Sequence, residues 1–547
     1  MFFKRKTYLL LLLLAFIIGA CQSSKKETAK KAAASQLGEL SLQVTGKESA
    51  QPHFKKGLLL LHSFEYEDAR EAFLKAQEED ADFAMAYWGE AMTYHHSLWQ
   101  RQEKEKSVGA LQKLADTKEE RLSKVETTLE KDLFKGAEIL FGEGTKYERD
   151  VAYRDYMEGL QAQYPNNHEV AALYAISLLG SSRNGRDGEL YDKSARIAQG
   201  IIKENPNHPG ALHYLIHSYD DPVHAHLAKN AADSYSKVAP DAAHALHMPS
   251  HIYVALGKWE DVITSNIASW NASVKKAKKQ GKKKGSGSYH AFNWLQYGLL
   301  QKGEVEQAEG ILKDMVKYGE NNPTKRAMAY LVAMKGGYMV ETNTWSGELA
   351  DIPLDIDGLN ITKKGGFYFI EGMKAYHQKE TNDLTNIIKD LEESRLKAQN
   401  LVGEEGFAMC SAVGLANKPP NQLDIDMVEV MEMELRGYLA DLNKNTQEAK
   451  KWFQKASELD ETLNYSFGPP TILKPAHEAY AEWLLENTET EAALAMFDKS
   501  LKRHPKRLLS LKGKKQAAEL LGNAKVVKAV EEELAISLNT NARVAVL

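Results

Sequence analysis

Residues 54–79 read FKKGLLLLHSFEYEDAREAFLKAQEE, an apolar run followed by a segment of mixed polarity. In the second segment, Ala69, Phe73 and Ala76 recur at helical spacing, so that small and large apolar side chains share one face. A small residue, Gly57, stands twelve positions before Ala69. This arrangement predicts two paired helices joined by a turn, with the small residue allowing them to approach closely.

The same pattern occurs twice more near the C-terminus. Its members are Gly437, Ala440, Ala449, Phe453 and Ala456 in one unit and Ala481, Leu484, Ala493, Phe497, Ser500 and Pro505 in the other. The pattern resembles the tetratricopeptide repeat, a helix–turn–helix of about 34 residues. The resemblance implies an all-α fold, a right-handed α-α superhelix (solenoid) of about ten helical pairs along residues 50–541.

The length and charge of the chain set its organisation. A chain of 547 residues is too long for one compact core. We predict a signal peptide with a lipobox over residues 1–21, a flexible tether over 22–46, an N-terminal solenoid with a histidine-rich groove over 47–340, an extended connection over 341–366 and a C-terminal solenoid over 367–547. Since 70 basic residues face 75 acidic ones, for a net charge of −5, no global basic excess favours binding to nucleic acid.

The N-terminus has the pattern of an export signal. Basic residues at positions 4–6 precede a 13-residue apolar run, 8–20, which is too short to span a bilayer as a helix. Residues 18–21 read IGAC and resemble the bacterial lipobox, which implies lipidation of Cys21 and attachment to the cell envelope, with the outer membrane as the default. Cys410, the one other cysteine, then has no disulfide partner and is predicted to be a small buried hydrophobe.

A lysine-rich segment interrupts the repeats. Residues 275–288 read KKAKKQGKKKGSGS, with no aromatic residue among the lysines. Such a run can contact nucleic acid, anionic lipid or lipopolysaccharide. We favour a solvated loop, because the aromatic side chains that stack on bases are missing and export removes the chain from nucleic acid.

Histidines carry the chemical signal. Eight of the 17 lie within one stretch, namely His208, His213, His217, His224, His226, His244, His247 and His251. His213 and His217 are one helical turn apart, as are His247 and His251, and the two pairs are offset by 34 residues, one repeat length. Equivalent helices of adjacent repeats lie side by side, so the pairs should face the same way from neighbouring helices.

Three interpretations of these histidines remain open. Five imidazoles, those of His213, His217, His244, His247 and His251, would converge on one wall of the concave groove and could hold Zn, Cu or haem. Two from each helix would complete a four-coordinate sphere, and Asp220, Asp221 or His224 would orient them. Alternatively, the groove binds a metal-free ligand, or the rings bond neighbouring carbonyls.

The repeat register predicts further residues on the same groove. They are Trp88, His95, His96, His290 and Asn293.

The function predicted from these features is binding rather than catalysis. Tyr214 and Met248 stand where the glutamate of a His-Glu-x-x-His hydrolase motif would be, and no phosphate-binding loop or nucleophile elbow is present. The segments AMAYWG, HPGALHYLIH and HMPSHIYVALG resemble an uncharacterised group of bacterial repeat lipoproteins, which brings no assigned activity. We therefore predict a membrane-anchored module that binds a protein, peptide or envelope polymer. The alternative is a metal-binding protein or metal-dependent enzyme.

Overall fold

The computed structural model describes residues 36–182, 185–402, 420–465 and 467–538. The predicted all-α tetratricopeptide-like superhelix is confirmed, because α-helices follow one another along these residues and strands are confined to one short hairpin. The predictions for the leader, Cys21 and Cys410 lie outside the described residues.

The helices of the N-terminal half lead up to the lysine-rich segment. They are α1 (Gln51–His62), α2 (Tyr66–Glu79), α3 (Ala84–Met92), α4 (Lys104–Gln112), α5 (Lys118–Ser123), α6 (Thr128–Leu140), α7 (Lys146–Gln163), α8 (His168–Gly180), α9 (Gly188–Glu204), α10 (Pro209–Ser218), α11 (Ala225–Val238), α12 (Ala243–His247), α13 (Pro249–Ala255) and α14 (Trp259–Lys279). Between α3 and α4, β1 (His95–His96) pairs antiparallel with β2 (Arg101–Gln102), around the short 3-10 turn Ser97–Trp99.

The helices of the C-terminal half continue the stack. They are α15 (Tyr289–Gln301), α16 (Val305–Asn321), α17 (Lys325–Thr342), α18 (Ile361–Gln378), α19 (Thr381–Gln399), α20 (Gln422–Leu442), α21 (Thr446–Thr462), α22 (Ala476–Glu486), α23 (Thr490–Arg503), α24 (Leu508–Leu520) and α25 (Ala524–Leu538).

The repeat pattern works through close contact between small and aromatic residues. The buried ring of Phe73 lies so near Gly57 and Gly89 that a Cβ added there would come within 2.7 Å and 2.3 Å of it. Gly437 meets Phe453 in the same way, at 3.0 Å. Each aromatic ring thus fills the space that the missing side chain leaves, as the sequence pattern predicted.

The predicted connection over 341–366 is shorter in the structure. Helix α17 runs to Thr342, and α18 begins at Ile361 because the Asn360 side chain accepts a hydrogen bond from the Lys363 amide and caps the helix. Residues 343–360 form the connection, and 361–366 belong to α18.

Residues 36–46, placed in the predicted tether, lie against the folded chain rather than free of it. The Glu39 amide donates to the Asn207 carbonyl at 2.9 Å, and the Thr45 hydroxyl donates to the Glu130 carboxylate at 2.9 Å. Leu37 is buried in the hydrophobic core of the N-terminal half. The predicted tether therefore cannot extend over these residues.

The C-terminal repeats also contact the middle of the chain. The Trp259 indole donates to the Lys506 carbonyl at 3.1 Å, and the Leu508 amide donates to the Gln301 side chain at 2.8 Å. The Phe467 ring lies 5.4 Å from the His251 ring, centroid to centroid. Distant repeats thus help to enclose the histidines. Within the described ranges, no helix combines the length and apolarity needed to cross a membrane.

Candidate metal centre

A cleft of about 730 Å³ opens on the histidine-rich helices. Its lining includes Phe64, Tyr66, Trp99, His96, His244, His247 and His290. The Tyr66 and His96 rings stack with centroids 3.9 Å apart, and Trp99 meets Tyr66 edge-on at 5.5 Å. The cleft therefore has an aromatic wall, formed by Tyr66, His96 and Trp99. Beside it lies a histidine wall, the group formed by His213, His217, His244, His247, His251 and His290.

Short helices position the histidine wall. His213 and His217 lie one turn apart on α10, which begins at Pro209. His247 ends α12, and His251 lies in the first turn of α13, which begins at Pro249. Proline suits the first turn of a helix, since its fixed φ fits and it has no N–H to leave unbonded. The predicted juxtaposition of the two pairs is present, on helices that the prolines delimit.

The first group of rings joins α10 to α12. The Nε2 of His213 lies 3.1 Å from the Nε2 of His217 and 3.2 Å from the Nε2 of His244. These three side chains can offer ligand atoms within 4.8 Å of one another. We call His213, His217 and His244 the first triplet.

The second group joins α12 and α13 to α15. The Nε2 atoms of His247 and His251 are 3.0 Å apart, and the His290 ring lies 4.4 Å from that of His247, centroid to centroid. The ligand atoms of these three residues also fall within 4.8 Å of one another. We call His247, His251 and His290 the second triplet. The structure thus arranges the rings as three plus three, where the sequence had predicted two plus two.

Hydrogen bonds on the outer side engage the Nδ1 atoms of three rings. The Nδ1 of His213 donates to the His62 carbonyl at 2.7 Å, and the Nδ1 of His251 donates to the Asp220 carboxylate. The Nδ1 of His247 lies 2.7 Å from the Asn266 carbonyl oxygen, whose amide group is oriented by its own donation to the Val262 carbonyl. Because a neutral imidazole carries one proton, the neutral rings of His213 and His247, with that proton on Nδ1, each have a lone pair on Nε2.

The spacing of the Nε2 atoms fits a metal ion between them. The Nε2 atoms of His247 and His251 point at each other across 3.0 Å. Histidine nitrogens bind Zn²⁺ at about 2.0–2.1 Å, which separates two tetrahedral ligands by roughly 3.3 Å. The observed Nε2 separations of 3.0–3.2 Å match that requirement.

Burial keeps four of the histidine rings neutral. Desolvation lowers the pKa of His213 to about 3, and its hydrogen bond to the His62 carbonyl opposes this only in part. Desolvation likewise holds the pKa of His217, His244 and His247 well below the usual value, with further lowering from neighbouring histidines. Protons therefore compete weakly for the nitrogens, which is the state that metal binding requires.

Asp220 lies between the triplets. With His217 and His251 it forms a buried group whose ligand atoms fall within 4.8 Å of one another. The Oδ2 of Asp220 accepts from His251, whereas its Oδ1 has no hydrogen-bond partner among the described residues. Of the three residues predicted to orient the ligands, Asp220 does so. Asp221 and His224 instead bond each other at 2.9 Å.

The predicted groove residues fall in different places. His96 and His290 line the cleft. Trp88 lies in the core of α3, every residue of which is buried, and its indole donates to the Leu133 carbonyl at 3.2 Å, so its prediction as a groove residue is wrong. His95 is buried and accepts from Gln102 at 3.1 Å, and Asn293 borders a separate cavity of about 30 Å³.

Three features of the site were not predicted from the sequence. The lysine-rich segment helps to build the cleft, because α14 continues to Lys279 and Lys276 lies 2.7 Å from both Glu65 and Asp68. A further buried group, His62, Glu169 and His208, lies behind the first triplet, where the Nε2 of His62 contacts the Glu169 carboxylate at 2.8 Å. Asn266, which orients His247, could not be distinguished from other helix-surface asparagines by pattern.

Comparison with known proteins adds only structural likeness. No known family profile matches the chain, and no curated protein matches it. Solved structures similar to it include yeast Tom70, at 14% identity, 88% of this chain, 96% of that chain and a TM-score of 0.32. The Cut9–Hcn1 hetero-tetramer of the APC/C matches at 12% identity, 88% of this chain, 78% of that chain and a TM-score of 0.33. A human IFIT1 dimer with m7Gppp-AAAA matches at 12% identity, 90% of this chain, 91% of that chain and a TM-score of 0.32. Structural similarity at these low identities and TM-scores does not indicate a ligand or an activity.

Proposed function

We propose that the protein binds transition-metal ions through its histidine wall. The observation that carries the proposal is the pair of Nε2 atoms of His247 and His251, which face each other at 3.0 Å while both Nδ1 atoms bond outer acceptors. Ligating histidines use this same device, in which the outer nitrogen bonds a carboxylate or carbonyl and so aims the other nitrogen at the metal.

The chemistry of the ligands limits which metals the site can bind. Neutral imidazole suits Zn, Cu and Ni, whereas Mg and Ca prefer oxygen ligands. A haem held by two histidines needs their nitrogens on opposite faces of the macrocycle, and Nε2 atoms 3.0–3.2 Å apart leave no space for it. We therefore propose that the histidines bind a metal ion directly and not a haem.

Elemental analysis of protein purified without an affinity tag tests this proposal. We expect a transition metal in stoichiometric amount, lost in the double variant His213→Ala/His247→Ala. The matched control is His168→Ala, because His168 contacts Glu204 at the surface and lies outside the wall. Metal-free protein, with a thermal midpoint that neither added Zn²⁺ or Cu²⁺ nor a chelator changes, would contradict the proposal. Circular dichroism establishes that the variants keep their helices.

A second proposal concerns the aromatic wall of the cleft. We propose that Tyr66, Trp99 and His96 bind a segment of a partner protein or an envelope polymer, since their rings form a continuous face beside the histidines. Rings of this kind offer large apolar contact at low entropic cost. Pull-down from detergent-solubilised envelope, with Trp99→Ala compared with the wild type, tests it. Equal capture by both proteins would exclude this face.

The third proposal is that Cys21 anchors the protein to the cell envelope by lipid. Its support is the lipobox-like IGAC at residues 18–21 and the apolar run before it. We expect the wild type to incorporate labelled palmitate and to fractionate with membranes, and Cys21→Ser to do neither. Equal labelling of both proteins would contradict the proposal.

A further inference from the structure

The six histidines form two ligand sets rather than one. Ligand atoms group as His213, His217 and His244 on one side and as His247, His251 and His290 on the other. In many catalytic metal sites the protein supplies three ligands, such as three histidines, and leaves the fourth position open for water or substrate. Each triplet is thus sufficient for one ion.

The triplets are neighbours. The His217 and His251 rings lie 5.6 Å apart and the His244 and His247 rings 6.1 Å apart, measured between centroids. Asp220 contacts His251 through one carboxylate oxygen, and its other oxygen is buried and has no hydrogen-bond partner among the described residues. A buried oxygen of this kind is stabilised by a cation close by.

Each triplet contributes at least one residue to the lining of the cleft. His244 of the first triplet and His247 and His290 of the second belong to its lining. A small ligand that enters the cleft can therefore approach the open position of either set. Each set has only three protein ligands and so leaves one position open. A structural metal site, in contrast, has four protein ligands that close the coordination sphere.

We propose that the histidine wall holds two metal ions, one in each triplet, and that a small anionic ligand from the cleft binds across the pair. This inference rests on the proposed metal binding and adds the number of ions, their ligands and the class of exogenous ligand. Two ions held side by side act as a clamp on one small ligand, because each supplies an open position.

Metal counting on substituted proteins tests the pair. His244→Gln and His290→Gln each remove one ligand, one from each triplet, and both side chains are half-buried, so the fold should tolerate the change. His96→Gln is the matched control, since it is half-buried in the same cleft but outside both triplets. Each protein is stripped with chelator, loaded with Co²⁺, desalted and analysed for metal.

We expect two equivalents of Co²⁺ in the wild type and in His96→Gln, and one in either triplet variant. Azide should shift the cobalt absorption bands of the wild type, and its apparent affinity should fall at least tenfold in both triplet variants. One equivalent in the wild type would overturn the pair and leave single-ion binding intact. Two equivalents that neither variant reduces would also overturn it, because the ions would then lie elsewhere. No bound metal would overturn the proposed function itself.

Discussion

Asn266 illustrates how a residue outside the histidine pattern can control a ligand. Its carbonyl oxygen accepts from the Nδ1 of His247, and its amide donates to the Val262 carbonyl, so the group cannot flip without losing a hydrogen bond. The His247 ring is therefore fixed in both tautomer and direction. Removing such an outer partner weakens metal binding by roughly 10- to 100-fold in known sites.

We predict that Asn266→Ala lowers Zn²⁺ affinity by roughly 10- to 100-fold, measured by competition with a chelating dye. Asn266→Asp should restore most of the affinity, because a carboxylate still accepts from His247. Asn271→Ala, an exposed position on the same helix, should change nothing. Loss of affinity in both Asn266 variants alike would indicate a packing role instead.

Glu434 is a buried acid in the C-terminal solenoid. Both its oxygens lack a hydrogen-bond partner among the described residues. Burial, and then the nearby carboxylate of Asp460, raise the pKa of Glu434 well above its usual value. A group whose folded pKa is raised contributes stability below its unfolded pKa of about 4.3 and loses that contribution as the pH rises.

We therefore predict that Glu434→Gln raises the stability at pH 8 by about 1–3 kcal/mol, because a neutral amide replaces an acid whose ionisation is opposed by burial. The difference from wild type should shrink at pH 5, and thermal midpoints at the two pH values measure it. Glu432→Gln gives the contrast: it breaks the ion pairs to Arg395 and Arg436 and should destabilise. A gain for Glu434→Gln that is larger at pH 5 than at pH 8 would contradict the linkage.

The helix pairs depend on small residues at particular contacts. Gly89 lies on α3 with the Phe73 ring against it, and an added Cβ would come within 2.3 Å of a ring carbon. Gly159 lies in the middle of α7, where nothing approaches an added Cβ within 4 Å. The same substitution should therefore have opposite effects at the two positions.

We predict that Gly89→Ala destabilises the protein by about 1–3 kcal/mol, because Phe73 must shift in a packed core. Gly159→Ala should stabilise it by about 0.5–1 kcal/mol, because alanine loses less backbone entropy than glycine in a helix. Chemical denaturation of both variants measures the difference. Equal effects would show that helix propensity, and not the contact with Phe73, governs these positions.

Repeats and spacing determined how much of the fold could be predicted. His213 and His247 are 34 residues apart, one repeat length. To predict that they are neighbours, it is enough to assume that equivalent helices of adjacent repeats stack, which is a local property. The pairing of β1 with β2 and the burial of Trp88 depend on what surrounds α3, and the repeat register carries no record of it. The register therefore predicted the five central histidines and failed for a helix that is buried on all sides.

Three-plus-three grouping could not be predicted for a similar reason. His290 belongs to the next repeat and joins the second triplet only because α15 packs against α14, across the lysine-rich segment. Phe467, which contacts His251, comes from a repeat more than 200 residues away. Contacts of that range arise from the curvature of the whole superhelix. This curvature is the sum of small rotations between successive helix pairs.

The wall links consecutive parts of the solenoid. Its six rings come from α10, from α12 and α13, and from α15, so an ion bound in either triplet joins helices of different repeats. A ligand that binds the folded chain and not the unfolded one stabilises it by mass action, by about 2.7 kcal/mol at one hundred times Kd. In a solenoid this gain should spread to adjacent repeats, because stability there is carried between neighbours.

We predict that Zn²⁺ raises the thermal midpoint of the stripped wild type in a concentration-dependent way and that Mg²⁺ does not, since imidazole disfavours the harder ion. The double variant His244→Gln/His290→Gln, with one ligand missing from each triplet, should lose most of the shift, whereas His96→Gln should keep it. Hydrogen exchange should show slower opening of α10 to α15 in the loaded wild type. An equal midpoint shift in the double variant would place the stabilising ions outside the wall, because both triplets would then be incomplete and the solenoid stabilised nonetheless.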